Sequence, residues 1–515
     1  MKKIIRVNAQ KPVRVLNNKV STACVWDYRE QFLGYGEDGQ IKKMNPFMEK
    51  VQFMTATGGN LGRDLFVDPE NFEVKDDYDF SRLITACENA IRLGVKPFIK
   101  TGNVPLKFSK NWEIGVFEVN TKAPDCMDDY YNYIFALCEA LKARFGAEEV
   151  CSWGFGVFTE FENKEWFQPD LMDSEFSAKC FCDIYDYTVA AITDSLGENV
   201  TVGAHVMMMR SIGKLTVFEP RLFFKHCGTE KNAKNGKPVK LDYVGFSYYD
   251  GRPRHVHGRT LAQLSEEIRA IAKEYGLEGF RIGCDEGRIN SGMDGKELSP
   301  RSVGFRYQAA MDADLLWQMV NADVDYFAAW SYLSGGLMDG IKTLPSHMAE
   351  CYYRMVGMTQ LETDLHGNRE GIMCTAPAQF RIQSIAGTDG KGRTTVMAYN
   401  YKPCDIYFDD IIDIQIEVPT SKPDGEYEAE CRFVDDNANF FPKWVVDRDT
   451  KGLLTEGRWS QDSQEIMTPG FDPKKYEKYS HLIPKKLKTV VSGGIETLKL
   501  TMIGNSAVFA DFLEN

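Results

Sequence analysis

Residues 128–163 read DDYYNYIFALCEALKARFGAEEVCSWGFGVFTEFEN, and this stretch holds both halves of the repeat that decides the fold. Its first half, 128–145, carries apolar residues at helical spacing. Gly146 follows as a stop, because glycine accepts the left-handed backbone that ends many helices. The second half, 150–158, is almost continuously apolar, as expected of a strand buried on both faces of a parallel sheet. That run ends in polar residues, Thr159-Glu160-Phe161-Glu162-Asn163.

The same pairing of textures extends in both directions. Apolar, strand-like runs occur at 21–26, 51–55, 95–100, 150–158, 200–207, 243–248, 279–284 and 326–330. Helical spacing lies between them. In 80–93, Leu83, Ile84, Cys87, Ala90 and Ile91 share a stripe that Gly94 terminates. The stretches 173–196 and 261–275 end at Gly197 and Gly276. In 302–320, Phe305, Ala309, Ala313, Leu316 and Val320 line up. Strand-then-helix repeats on this scale predict an α/β fold, a (β/α)8 barrel over 20–360. An open doubly wound sheet is the rival and should carry a G-x-G-x-x-G turn after an early strand. The nearest segment, Gly58-Gly59-Asn60-Leu61-Gly62, has the wrong spacing.

Beyond 360 helical periodicity stops. Short alternating runs at 378–385, 393–399, 412–418, 425–433 and 496–503 are separated by turn residues such as Thr388-Asp389-Gly390 and Pro423-Asp424-Gly425. They predict an antiparallel β-sandwich over 361–515. The β-like segment 1–19 precedes the first barrel strand and is expected to join that sandwich. The polar segment 447–488 reads as a long loop over or beside the barrel.

Composition bounds the partners. Lysine and arginine number 61 against 74 acidic residues, a formal charge of −13. An acidic surface repels phosphate backbones and anionic lipid, so neither nucleic acid nor membrane is expected as a partner. A small neutral substrate fits better. Asn8, Gln10 and Lys11 interrupt the first residues before an apolar leader core forms, and no run of about 18 apolar residues occurs. The 13 cysteines are scattered, several within apolar runs, as in a reduced, cytoplasmic chain. Homo-oligomerisation is left open.

In such a barrel, reactive groups sit at the C-terminal ends of strands. The fourth run ends at Glu160 and the seventh at Asp285-Glu286. Two carboxylates on opposite strands are the equipment for glycoside hydrolysis: one protonated to release the leaving oxygen, one ionised to attack the anomeric carbon. Glu162 rivals Glu160, since residues two apart in an extended segment face the same side. Asp285 rivals Glu286, from which alternation separates it, but Glu286 precedes Gly287, where the chain can turn.

These features resemble clan A of the glycoside hydrolases, whose barrels place the acid/base after strand four and the nucleophile after strand seven. Family 39 is the most similar, through the barrel with its C-terminal β domain, the Tyr78-Asp79-Phe80-Ser81 opening, Gly94-Val95-Lys96-Pro97-Phe98, and a Thr-Glu-x-x-Asn segment leading to Trp166-Phe167. The resemblance implies Glu160 as acid/base, Glu286 as nucleophile, and retention of configuration on short oligosaccharides by an exo-acting enzyme, with a β-xylosidase as the first expectation. It implies no cofactor and no metal. Two departures stand out: Thr159 replaces the usual asparagine before the acid/base, and Phe161 the usual proline after it.

Further candidates for substrate contact come from other strand ends. Asn163 follows the acid/base. His205 either touches Glu160 or is a satisfied core histidine. Tyr248 either bonds the nucleophile or packs at the rim. Trp330 offers an indole to a sugar face or fills core. Arg63, with Asn103 and Trp153, is a weaker candidate. His255-Val256-His257 lacks the partner histidines of a metal-dependent barrel. Two other classes remain: a carbohydrate-binding pseudoenzyme on the same barrel, and a transglycosylating or phosphorolytic relative.

Overall fold

The computed structural model describes residues 3–25, 47–54, 59–208, 215–250, 260–289, 306–330, 341–366, 381–401, 411–450 and 472–514. Its centre is a closed barrel of eight parallel strands in chain order. They are β2 (Thr22–Val25), β3 (Lys50–Phe53), β4 (Lys96–Lys100), β5 (Phe155–Val157), β6 (Val202–Val206), β7 (Tyr243–Asp250), β8 (Arg281–Ile289) and β9 (Phe327–Trp330). The eight apolar runs of the sequence each supply one of them. β2 pairs with both β3 and β9, which closes the ring.

Helices cover the outside. Ser81–Arg92, Met127–Phe145, Ser174–Leu196, Leu261–Glu274 and Arg306–Ala322 fall where helical spacing predicts them. Gly94, Gly146, Gly197 and Gly276 all have positive φ, so each stop acts through backbone chirality. Thr260 and Gln263 form a reciprocal capping box that starts one helix, and the Asp173 carboxylate accepts the Phe176 N–H at the head of another. Two short helices, Pro220–Thr229 and Leu344–Tyr353, escape the periodicity argument; each is only ten residues long and opens with an early proline.

The remaining strands are β1 (Lys3–Val15), β10 (Thr359–His366), β11 (Arg381–Thr388), β12 (Arg393–Tyr401), β13 (Ile411–Pro419), β14 (Gly425–Val434), β15 (Lys485–Ser492), β16 (Ile495–Ile503) and β17 (Ser506–Leu513). They form one closed sheet in the order β1-β10-β11-β12-β17-β14-β15-β16-β13. Where the sequence predicts two stacked sheets, the hydrogen bonding runs continuously around nine strands. The N-terminal strand takes part as expected, parallel to β13 and antiparallel to β10. Period-two burial in β16 supplies an apolar interior of Ile5, Val7, Ile382, Val396, Ile414, Ile416, Leu498 and Val508. The expected loop at 447–488 is not one loop: it contains the end of helix Phe441–Thr450, a turn of helix at Pro473–Tyr476 and the start of β15, while 451–471 lie outside the described residues.

Helix Arg306–Ala322 joins the two sheets. Its buried Asp314 accepts hydrogen bonds from the Tyr399 hydroxyl at 2.7 Å and from Gln318 at 2.7 Å. Among the described residues no helix is long and apolar enough to cross a membrane, and the cysteines are unpaired.

Candidate active site

β5 is only three residues long, and the chain leaves it in an unusual way. Phe158 and Glu160 have φ of 60° and 44°, a left-handed backbone that costs a side-chain-bearing residue roughly 1–2 kcal/mol. The surroundings hold it. Phe158 packs edge-on to Phe167 and Phe181, and Phe161 stacks on Phe181 at 4.2 Å. The Phe161 N–H donates to the His205 carbonyl at 3.1 Å, a bond that proline could not make. The turn therefore separates the two glutamates that extended spacing would put on one side.

Glu162 points back into the protein. It is fully buried, and its Oε1 accepts the backbone N–H groups of Met207 and Met208, both at 2.8 Å. Burial pushes its carboxyl up to about 7, against those two bonds. Glu160 points into the barrel mouth. Its Oε2 accepts from Asn163 Nδ2 at 2.7 Å and its Oε1 from the Ser247 hydroxyl at 2.5 Å. Burial raises its carboxyl above the ordinary range; Ser247, Asn163, Lys100 and Trp166 pull the other way.

On the opposite wall, β8 carries a bulge. Cys284 faces Phe246 of β7, but the next partner of Ser247 is Glu286, which leaves Asp285 as the extra residue. Both carboxylates consequently enter the barrel, contrary to simple alternation. Asp285 lies deep: it is fully buried, ion-paired with Lys100 at 2.9 Å, and bonded by Gln52 at 3.0 Å and by the Tyr326 hydroxyl. A Cβ on Gly245 would sit 2.2 Å from the Asp285 carboxyl, and one on Gly283 would meet the Tyr326 ring at 2.3 Å; the barrel strands use glycine where the interior needs that space. Glu286 lies above Asp285, 9% exposed. One oxygen of Glu160, one of Glu286 and a ring nitrogen of His205 all fall within 4.8 Å of one another.

Those three groups have the spacing of a metal site, but two of them, His205 and Glu160, already have hydrogen-bond partners on their ring nitrogens and carboxyl oxygens. His205 uses Nδ1 toward Lys100 and Nε2 toward Ser247, each at 2.8 Å. Both Glu160 oxygens accept hydrogen bonds as well. What the arrangement suits is the splitting of a bond between two facing carboxyl groups, one inclined to keep its proton.

The model of glycosyl hydrolases family 39 matches residues 4–281. The chain belongs to glycoside hydrolase family 39. This family 39 hydrolase is similar over 240 residues to a β-xylosidase of Geobacillus stearothermophilus, with 23% identity across 45% of this chain and 43% of the relative; the match spans less than half the length of that relative. Among solved structures, a monomeric β-xylosidase from Caulobacter crescentus CB15 superposes with a TM-score of 0.66 at 18% identity, covering 99% of both chains. A family 39 enzyme from Xanthomonas axonopodis pv. citri gives 0.64 at 14%, covering 99% of this chain and 97% of the other. At such identities the structural likeness speaks for the fold.

The family 39 barrel brings Glu160, Asn163, His205 and Glu286 to one mouth. Thr159 is adjacent but fully buried, its hydroxyl turned toward the Met54 carbonyl at 3.5 Å. Tyr248 follows Ser247 on β7 and is fully buried in the hydrophobic core. One expected contact is corrected. Arg63 is half-buried in an ion pair with Glu70 at 2.8 Å, away from this cluster. The weaker candidates are structural: Asn103 donates to the Trp166 carbonyl, and Trp153 to Glu149. The Trp330 side chain, and His255 and His257, lie outside the described residues. Sequence reasoning missed Ser247, Lys100 and Gln52. Lys100 had a signal, because it closes an apolar run in which a charge needs a buried partner. Ser247 had none.

Proposed function

We propose that this glycoside hydrolase is a retaining, exo-acting β-glycosidase for short oligosaccharides, with β-xylosides as its first substrates. Glu286 attacks the anomeric carbon. As that bond forms, the glycosidic C–O bond breaks and Glu160 gives its proton to the leaving oxygen. Glu160 then takes a proton from water, whose oxygen attacks the same carbon and frees Glu286. Two inversions return the original anomer. The observation that carries the reading is the approach of Glu160 and Glu286 within 4.8 Å in unlike settings. The xyloside preference rests on the names of the Geobacillus and Caulobacter relatives.

A panel of nitrophenyl β-glycosides, followed by proton NMR of the first-formed sugar, tests it. β-Xylose released first from the β-xyloside is the expected result. Release of the α-anomer would reject retention, and preference for another glycoside would reject the sugar. The absence of turnover on the whole panel would favour a binding protein on the same barrel.

A further inference from the structure

A continuous line of buried polar groups runs from the nucleophile strand to the acid/base. Asp285 on β8 pairs with Lys100 on β4, Lys100 reaches His205 Nδ1 on β6, His205 Nε2 reaches Ser247 Oγ on β7, and Ser247 reaches Glu160 Oε1. Lys100, His205 and Asp285 are fully buried and Ser247 is 1% exposed.

Donor chemistry gives this line one direction. Asp285 receives Lys100, Gln52 and Tyr326, the setting of an ionised carboxylate beside an ammonium. An ammonium donates and cannot accept. His205 Nδ1 must therefore accept from Lys100, and the ring carries its single proton on Nε2. Burial and the Lys100 charge both hold His205 well below its ordinary range, so the ring stays neutral. The Nε2–H then donates to Ser247 Oγ, which leaves the serine proton free to point only at Glu160 Oε1. On the far side, Asn163 Oδ1 accepts the Glu165 N–H at 3.0 Å, which turns its amide N–H toward Glu160 Oε2.

We infer that Lys100, His205 and Ser247 form a one-way hydrogen-bond relay, anchored on Asp285, that holds Glu160 Oε1 as an acceptor and so fixes the orientation of the carboxyl that delivers the proton. Ser247 and His205 are thus positioning residues for proton delivery. The inference rests on the proposed role of Glu160. It assigns functions to a serine and a lysine with no place in the two-carboxylate scheme, and it explains why a positive charge is buried under an active site for a neutral sugar.

The test compares two aglycones on the full-length protein. A dinitrophenyl glycoside departs with little need of an acid, whereas an alkyl glycoside needs the Glu160 proton. Ser247→Ala is expected to lower kcat/KM on the alkyl glycoside about tenfold, a fraction of the 10²–10⁴ that general acid catalysis supplies, and to change the dinitrophenyl value by less than about threefold. Ser247→Thr, which keeps the hydroxyl, should restore the alkyl activity. Equal losses on both substrates, or no loss on either, would overturn the relay. Glu160→Gln run in parallel separates the two ideas: if it spares the alkyl glycoside, the role of Glu160 itself is wrong. A second readout needs no turnover. Nitrogen-15 NMR of labelled histidine, assigned by difference against His205→Asn, should show a neutral ring protonated on Nε2 from about pH 5 to 8. A ring protonated on Nδ1, or one titrating in that range, contradicts the inference.

Discussion

The two closed sheets of this molecule fill their interiors with opposite materials. The nine-stranded sheet holds Ile5, Val7, Ile382, Val396, Ile414, Ile416 and Val508; where it buries a charge, Lys422 meets Glu496 at 2.7 Å and Thr489 completes the pair. That cluster is closed on itself. The parallel barrel instead threads Gln52, Asp285, Lys100, His205 and Ser247 upward until they meet Glu160 at the mouth. Burying such groups costs stability unless each is paired. Among the described residues, the polar line of the barrel ends at the mouth, whereas the buried pair of the nine-stranded sheet ends within that sheet.

Substitutions can break this contrast. The largest effect falls at the mouth: Glu286→Gln and Glu160→Gln should each reduce kcat on an unactivated glycoside by at least about 10³-fold, with little change in melting temperature. Loss of folding in either variant would mean the carboxylates belong to the scaffold. One level down, Lys100→Met leaves Asp285 buried without its cation and should cost about 3–5 kcal/mol in chemical denaturation. A neutral result there would show that the barrel tolerates an unpaired carboxylate.

In the nine-stranded sheet, Ile416→Ala should cost about 2–4 kcal/mol by cavity formation and leave kcat/KM of the folded fraction unchanged. A fall in kcat/KM would join the two interiors functionally and remove the contrast. The smallest effect sharpens it. Glu162 has a carboxyl raised from 4.5 to about 7, so the folded state binds its proton more tightly than the unfolded chain. The stability from that proton is full below about pH 4.5 and is lost as pH climbs through about 7. Glu162→Gln, which can still accept the Met207 and Met208 N–H groups, should gain stability relative to the parent between about pH 5 and 8, by about 2 kcal/mol. A constant difference between the two proteins would place the Glu162 carboxyl in the ordinary range.

Legibility in the sequence followed the same contrast. Strands buried on both faces are continuous in apolar residues, so all eight barrel strands could be read, and the glycines after the helices marked their ends. In the nine-stranded sheet β10, β15 and β17 were not read: β10 sits at the boundary with the barrel region, β15 is largely lysine on its exposed face, and β17 is buried nearly throughout, which hides alternation. Glu160 and Glu286 were legible because a carboxylate closing an apolar run has little structural reason to be there. Their rivals could not be excluded from spacing alone. The left-handed turns at Phe158 and Glu160 and the bulge at Asp285 each break the two-residue rule, and each needs packing from distant segments to persist. Ser247 was illegible for the same reason: its role depends on His205, Lys100 and Asp285, which come from three other strands.

The central claim is that Glu286 forms a covalent bond to the sugar while Glu160 faces it. Incubation with a 2-deoxy-2-fluoro-β-glycoside bearing a dinitrophenyl leaving group slows release of the intermediate, and peptide mass spectrometry then locates the label. The account predicts one stoichiometric adduct on Glu286. A label on Asp285, Glu162 or Glu160, or continued turnover of the normal substrate by a Glu286→Gln variant, would contradict it.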